Sequence, residues 1–433
     1  MLSSVFLFFA STLNYYFISD DFVYTRFNSI SELLNLNQGE YHYNPVFWGL
    51  LFAVKQIFGL IPLSYHFLTV VIHLVNILLV YFLAKNLTKN NKIAFLSSLV
   101  FSFYFANYEV VFWITGISTS LMVTFYILGL LSFIKYIKHK QYLFYVLFLI
   151  FFILSILTHE YAITLPIICF IYYFQFSKSK EILKVLAFPV LFILIVTILK
   201  SLYSNASLFI SLPTIGRFFI SVIKSYLYLF MPFPYFIDSL PKFLLPILFI
   251  FLFLFLLIKS LKNKLKIFLF LWTFIDVFLF SATSATQARY LYFSFIPAVI
   301  LLILILNINS RKILYMFLIV IAGISFMQKQ KIYWTQSSEI TKNTLEYIKN
   351  NAEDNKPLYL VNFPDSVNGP PWNAYVFRRG LNYALGNTNI FFYRTIPLDE
   401  KVREDEHIEP EKLIELKEKG NVFIFDSNLL IVN

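Results

Sequence analysis

Apolar residues run through this chain in long unbroken blocks joined by short polar connections. Eleven blocks are long enough, or nearly so, to cross a bilayer, at about 2–17, 63–84, 93–107, 116–134, 142–158, 161–177, 185–200, 243–258, 267–281, 291–308 and 313–328; a helical span takes roughly 20 residues. The connections are of two kinds, and they alternate. One kind is basic: KNLTKNNK, KYIKHKQ, KSKEILK, KSLKNKLK and NSRK. The other is acidic, aromatic or neutral: DDFVYTRF, ANYEVVFW, THEY, PYFIDSLP and SATSATQARY. Fifteen of the twenty-two Lys and Arg in residues 1–328 lie in the five basic connections, and seven of the nine acids lie on the opposite side. Only Glu181 shares the basic side, and Asp276 falls within a block. Lys and Arg accumulate on the cytoplasmic side of a membrane. The pattern therefore predicts a cytoplasmic N-terminus, eleven spans and an extracytoplasmic region from about Lys329. Two apolar stretches break the alternation, 214–231 and 46–61, the second with Lys55 at its middle. Both read as interfacial or re-entrant helices.

Beyond Lys329 the period changes. LYLVNF (358–363), NIFFYRT (389–395), NVFIFD (421–426) and NLLIVN (428–433) read as strands. SSEITKNTLEYIKNN (337–351), NAYVFRRGLNYAL (373–385) and PEKLIELKEKG (410–420) read as helices, the last with Pro410 in its first turn and Gly420 at its stop. The expected fold is an all-α polytopic bundle over 1–328 carrying a small α/β extracytoplasmic domain over 329–433.

Composition agrees. Of 433 residues, 59% are hydrophobic and only 14% charged, against about 25% charged in soluble domains, and the mean hydropathy is +0.71. The formal charge of +11 sits in the basic connections, so it marks topology and not a nucleic-acid partner. A single cysteine, Cys169, excludes a disulfide framework within the chain. The N-terminus lacks a basic region and a small-residue cleavage site, so residues 2–17 read as a retained first span; it is short, and initiation upstream stays open.

Candidate chemistry gathers on the non-basic side. Asp20 and Asp21 stand where the first block ends. A carboxylate partly desolvated among aromatics gains basicity and can take a proton from an attacking hydroxyl; the plainer reading is two solvated acids closing a helix. Arg289, flanked by Tyr290 and Tyr292, can hold a phosphate by paired hydrogen bonds or simply snorkel to the interface. Glu109 and the pair His159–Glu160 sit in short turns and read equally as solvated turn residues. Asp276, an acid inside a span, calls for a cavity or a partner. His66 and His73 share one face of the second span without a third metal ligand nearby. Glu40 and His42 could join Asp20 or Asp21 around a divalent metal, although no cofactor is the default expectation. No phosphate-binding glycine loop, dinucleotide fingerprint or zinc-hydrolase motif is present.

Six segments, in order, carry a resemblance: the first block closed by Asp20–Asp21; Tyr41 to Thr88, with Asn44–Pro45, the step from Gly59 to Pro62, Tyr65–His66, His73 and Asn76; NYEVVFWITGISTSL; THEYAITLP; FMPFPYFIDSLP; and ARYLYF. Together they cover roughly residues 1–300. The pattern resembles the GT-C superfamily of polytopic glycosyltransferases, which includes protein O-mannosyltransferases and the aminoarabinose transferases of lipid A. The resemblance implies a polyprenyl-phosphate-linked sugar as donor, a lipid, glycan or protein hydroxyl as acceptor, and inversion at the anomeric carbon. It places the base on Asp20 and the donor phosphate on Arg289. It also departs from the family: His159 stands where Lys often precedes the Glu, and Asp21 where the second acid is often Glu.

Rival readings remain at this stage. A transporter or lipid flippase would normally break its helices near the bilayer midplane, whereas these blocks are nearly continuous Phe, Leu and Ile. An O-antigen ligase or polymerase would carry more outer arginines than Arg26, Arg217 and Arg289. A non-catalytic relative would not need both Asp20 and Arg289. The Lys-, Ile-, Phe- and Asn-rich composition points to a prokaryotic plasma membrane.

Overall fold

The computed structural model describes the whole chain apart from residues 35–43, 178–181, 204–214, 283–286, 307–309, 354–355, 365, 368–373, 375–380, 387–388, 396–405, 426–430 and 433. Glu40 and His42 lie outside the described residues, as does most of the stretch read as a helix over 373–385.

Helices dominate up to residue 351. They are α1 (Leu2–Phe9), α2 (Asp21–Tyr24), α3 (Ile30–Leu34), α4 (Pro45–Phe58), α5 (Pro62–Thr88), α6 (Asn91–Ser102), α7 (Asn107–Phe112), α8 (Ile117–His139), α9 (Tyr142–Ile156), α10 (Thr164–Phe176), α11 (Ile182–Tyr203), α12 (Ile215–Phe230), α13 (Pro234–Ser239), α14 (Leu244–Ser260), α15 (Lys264–Ser281), α16 (Ala288–Leu306) and α17 (Ser310–Asn351). Each predicted apolar block lies on one of these helices or nearly so. By length and composition, α5, residues Ile114–His139 and α16 are long and apolar enough to cross a membrane, and shorter apolar helices surround them. The two stretches outside the alternation form α4 and α12, and α12 packs on α14, α15 and α16.

Local chemistry sets the ends. Pro45 and Pro62 occupy the first turns of α4 and α5, where a missing N–H costs nothing. Two basic connections are closed by asparagine caps: Asn90 accepts from the amides of Lys92 and Ile93, and Asn263 from those of Leu265 and Lys266. The tight bundle needs Gly323 on α17, because a Cβ there would lie 1.9 Å from the Phe103 carbonyl oxygen.

The helix α17 runs without interruption through position 328, so one rigid rod links bundle and sheet. Strands β1 (Leu358–Val361), β2 (Ile390–Arg394), β3 (Glu406–His407), β4 (Asn421–Phe425) and β5 (Ile431–Val432) form a sheet in the order β3-β2-β1-β4-β5. All pairings are parallel except β4 with β5. Helices α18 (Leu381–Leu385) and α19 (Lys412–Lys419) complete it. The helix α19 begins two residues after Pro410, which instead opens the preceding turn by accepting from the Leu413 amide.

Two apolar clusters matter for the site. The larger fills the bundle. The second joins Phe17, Phe22, Phe27, Trp48 and Ile114 from the bundle end to Leu345, Leu360, Phe363, Leu381 and Phe425 around the sheet. Helix α18 of this domain contacts α2, the segment that begins at Asp21.

Candidate functional site

The first helix continues as a single 3-10 turn to Asn14 and then extends. Ser19 takes a left-handed φ of 48°, a conformation that costs a non-glycine residue about 1 kcal/mol or more. That kink immediately precedes Asp20 and Asp21, and α2 begins at Asp21. The two carboxylates then diverge in environment. Asp21 is fully buried. Its Oδ2 accepts the Ile18 amide at 3.0 Å, and its Oδ1 accepts the Thr115 amide at 3.0 Å and the Thr115 hydroxyl at 2.9 Å. Burial pushes its pKa up to about 7, against the pull of those donors, and the neighbouring charge of Asp20 adds to the rise. Asp20 is only half-buried and is the member of the pair that solvent-borne groups can reach.

Lys55 fixes the turn after the pair. Its ammonium donates to the carbonyls of Thr25 (2.9 Å), Arg26 (3.2 Å) and Phe27 (3.1 Å) and to Asn28 Oδ1 (2.9 Å). Partial burial lowers its pKa below the usual lysine value, while Glu32 acts in the opposite direction. On the far side, Arg26 lies over the Tyr383 ring of α18 at 4.8 Å, and α18 contacts α2.

Thr115 belongs to a folded-back segment, 107–116, that joins the acid pair to the predicted phosphate ligand. Gly116 allows the fold-back: a Cβ there would sit 2.7 Å from the Glu109 carbonyl oxygen. Glu109, 3% exposed, meets Arg289 at the start of α16. Arg289 Nη1 donates to Glu109 Oε1 at 2.5 Å, and the Arg289 amide donates to Oε2 at 2.9 Å. The guanidinium also lies over Trp113 at 5.2 Å and Tyr290 at 5.0 Å. The Tyr290 ring meets Tyr161 edge-on at 4.8 Å and His159 at 6.3 Å. His159 stacks on Tyr161 and lies 3.6 Å from Glu160. Asp21, Glu109, His159, Glu160 and Arg289 thus belong to one continuous cluster, with Asp20 at its edge.

Three other candidates lie inside the bundle. His66 is buried against the Tyr15 ring at 5.8 Å. His73 contacts the Tyr292 hydroxyl at 3.1 Å, and Asn76 donates to the same hydroxyl at 3.1 Å and to the Ser120 carbonyl at 2.7 Å. This network pins α16 one turn past Arg289, so His73 supports the site from behind, while His66 packs on the Tyr15 ring that also meets Phe112 of the 107–116 segment. Asp276 is buried beside Tyr126, Thr164 and Trp272, and the Thr164 hydroxyl donates to the carbonyl of Tyr161, which stacks on His159. Among the described residues no three His, Cys, Asp or Glu side chains gather as a metal site would need.

Sequence reasoning did not single out Thr115, whose only signal is its place beside Gly116 in the turn after Trp113. It placed Lys55 on an interfacial helix without a role; a lone lysine at the centre of an apolar stretch was the available sign.

No protein-family model and no curated protein matches the sequence. A solved structure does match, the crystal structure of ArnT from Cupriavidus metallidurans bound to undecaprenyl phosphate. It aligns with a TM-score of 0.54 at 12% identity, over 98% of this chain and 92% of that one. At such low identity the likeness is one of fold, and it spans bundle and sheet domain together. The chain shares its fold with ArnT, and among the described residues it has helices long and apolar enough to cross a membrane.

Proposed function

We propose that the protein is an inverting glycosyltransferase that moves a sugar from a polyprenyl-phosphate donor to an acceptor hydroxyl at the extracytoplasmic face of a prokaryotic plasma membrane. The observation that carries the reading is the 107–116 segment, which grips Asp21 through Thr115 and Arg289 through Glu109. It anchors the turn that carries Asp20 and fixes a cation, in a chain whose fold is similar to that of a protein crystallised with undecaprenyl phosphate.

In this mechanism Asp20 takes the proton of the acceptor hydroxyl as its oxygen attacks the anomeric carbon. The bond from that carbon to the phosphate oxygen breaks, its electron pair stays on the phosphate, and the configuration inverts. Arg289 faces the growing negative charge on the phosphate, and its pairing with Glu109 fixes where the guanidinium points. Asp21 holds α2 in place. The phosphate is already a good leaving group, so no nucleotide is required at this face. The reaction as written has no step that calls for a metal.

The test is transfer of labelled sugar from a panel of polyprenyl-phosphate sugars in membranes carrying wild type, Asp20→Asn or Arg289→Ala. The reading expects wild type to discharge a donor and Asp20→Asn to lose at least about a hundredfold in rate while inserting and folding normally. An Asp20→Asn protein as active as wild type would overturn it. Movement of a lipid across the bilayer without donor consumption would assign a flippase instead.

A further inference from the structure

A groove of about 660 Å³ runs between α1 with its following turn and α17, close to where α17 carries the chain toward the sheet. Leu7 and Phe8 line one side, Tyr15 lies at the end nearer Asp20, and Lys331, Thr335 and Gln336 form the α17 side. A second groove of about 400 Å³, lined by Leu2, Phe6 and Leu74 among others, shares Leu7 with the first. The two are thus continuous along α1. Their chemistry differs end to end: around Leu2 to Leu7 the lining is almost wholly apolar, and around Tyr15 to Gln336 it is hydroxyl, amide and one ammonium.

Lys331 is the odd member. It sits half-buried, and its ammonium reaches back to the Phe8 carbonyl and lies over the Phe8 ring at 4.0 Å. The Tyr15 hydroxyl donates to the Lys331 carbonyl at 3.3 Å, which fixes the backbone at that point. Among the described residues no carboxylate pairs with this ammonium, and none lines either groove. A half-desolvated cation with a carbonyl and a ring for company attracts an anion.

From these observations we infer that the paired grooves bind one anionic glycerophospholipid, with its phosphate at Lys331 and an acyl chain along α1 past Leu7 to Leu2. Length supports a lipid over a free phosphate. Leu2 to Tyr15 spans roughly 20 Å at 1.5 Å per helical residue, close to one leaflet of hydrocarbon and its interface. Leu7, at the junction of the grooves, is 73% exposed and needs an apolar cover that water cannot give. The inference stands apart from the proposed transfer reaction, because it concerns a different cation, Lys331.

The experiment uses the full chain, delipidated in a neutral detergent and titrated with dioleoyl phosphatidylglycerol or phosphatidylcholine under native mass spectrometry. Wild type is expected to prefer phosphatidylglycerol by about tenfold. The variant Lys331→Gln should bring the two lipids level, and Lys331→Arg should keep the preference. Leu7→Trp, which fills the junction, should weaken both lipids. Should Lys331→Gln not fold, Lys331→Arg and Leu7→Trp decide. Equal binding of the two lipids by wild type, or a preference that survives Lys331→Gln, would overturn the inference. So would displacement of the lipid by inorganic phosphate, which would leave an anion site without a chain. Preferential Lys331-dependent binding of a polyprenyl phosphate would give the groove to that lipid instead. Asp20→Asn should bind as wild type does, so the outcome does not depend on transferase activity.

Discussion

Replacing Asp21 by Asn separates what the two acids do. The Asp21 carboxylate accepts three hydrogen bonds in a site closed to water, two at Oδ1 from Thr115 and one at Oδ2 from the Ile18 amide. An amide has one oxygen. If that oxygen stays with Thr115, the new NH₂ faces the Ile18 N–H, and a buried donor loses its acceptor at a cost of about 1–3 kcal/mol. The pH dependence gives a sharper signature. Burial raises the folded-state pKa from 3.8 to about 7, so between those values the folded form holds a proton that the unfolded form has lost. The associated stability is complete below about pH 4 and falls as pH rises through 7. From about pH 5 to pH 8 the loss attributable to this one group is roughly 2.5 kcal/mol. Thermal or denaturant unfolding of the purified protein, followed by tryptophan fluorescence at both pH values, reads it directly. The Asn variant should be less stable than wild type at pH 5 and should lack this part of the decline toward pH 8. If wild type and Asn variant lose the same stability across that interval, Asp21 does not titrate as its burial requires and the reasoning fails.

Two further perturbations test the frame around the pair. Glu109→Ala leaves Arg289 buried on one side without its carboxylate; loss of a buried partner costs about 3–5 kcal/mol, to be reduced here because Arg289 keeps 18% exposure and its two aromatic faces. Lowered thermal stability together with a changed donor KM is expected, and an unchanged protein would show that the pair is incidental. Lys55→Met keeps the stem and removes an ammonium that serves four oxygens. With the site partly solvated, about 1–3 kcal/mol is at stake. Under the proposed mechanism, transfer kinetics should show kcat falling more than donor KM rises, because Lys55 holds the turn that follows the proposed base, Asp20.

The helical architecture was legible because a bilayer demands it. Every backbone group in hydrocarbon must be bonded within the chain, so long apolar blocks could only become helices. Asn90 and Asn263, within KNLTKNNK and KSLKNKLK, cap the helices that follow. Less could be read where tertiary contact overrides local pattern. The tail was readable as strands and helices, but nothing in LYLVNF or NYAL says that β1 and α18 would pack against Phe22 and Trp48, because that choice is made by the second apolar cluster and not by period. The break at residue 328 was read from composition, and composition changes there; the backbone does not, since α17 continues as one helix to Asn351.

The site divides along the same line. Residue type and order brought Asp20, Asp21, Glu109, His159, Glu160 and Arg289 forward, and five of the six meet in one cluster that Asp20 borders. What sequence could not supply was the difference between neighbours. Asp20 and Asp21 are the same residue one position apart, and a pattern treats them alike. The left-handed turn at Ser19 separates them, sending one carboxyl into a closed socket made by Thr115 and leaving the other half-exposed. Arg289 presents the same problem in another form. As a lone arginine it could have been a snorkelling side chain, but Glu109 is 180 residues away in sequence and binds both its guanidinium and its backbone amide. A side chain that merely reaches for the interface does not need its own amide held by the same carboxylate. That double grip gives Arg289 a fixed position, which the proposed reaction requires of a cation facing the donor phosphate.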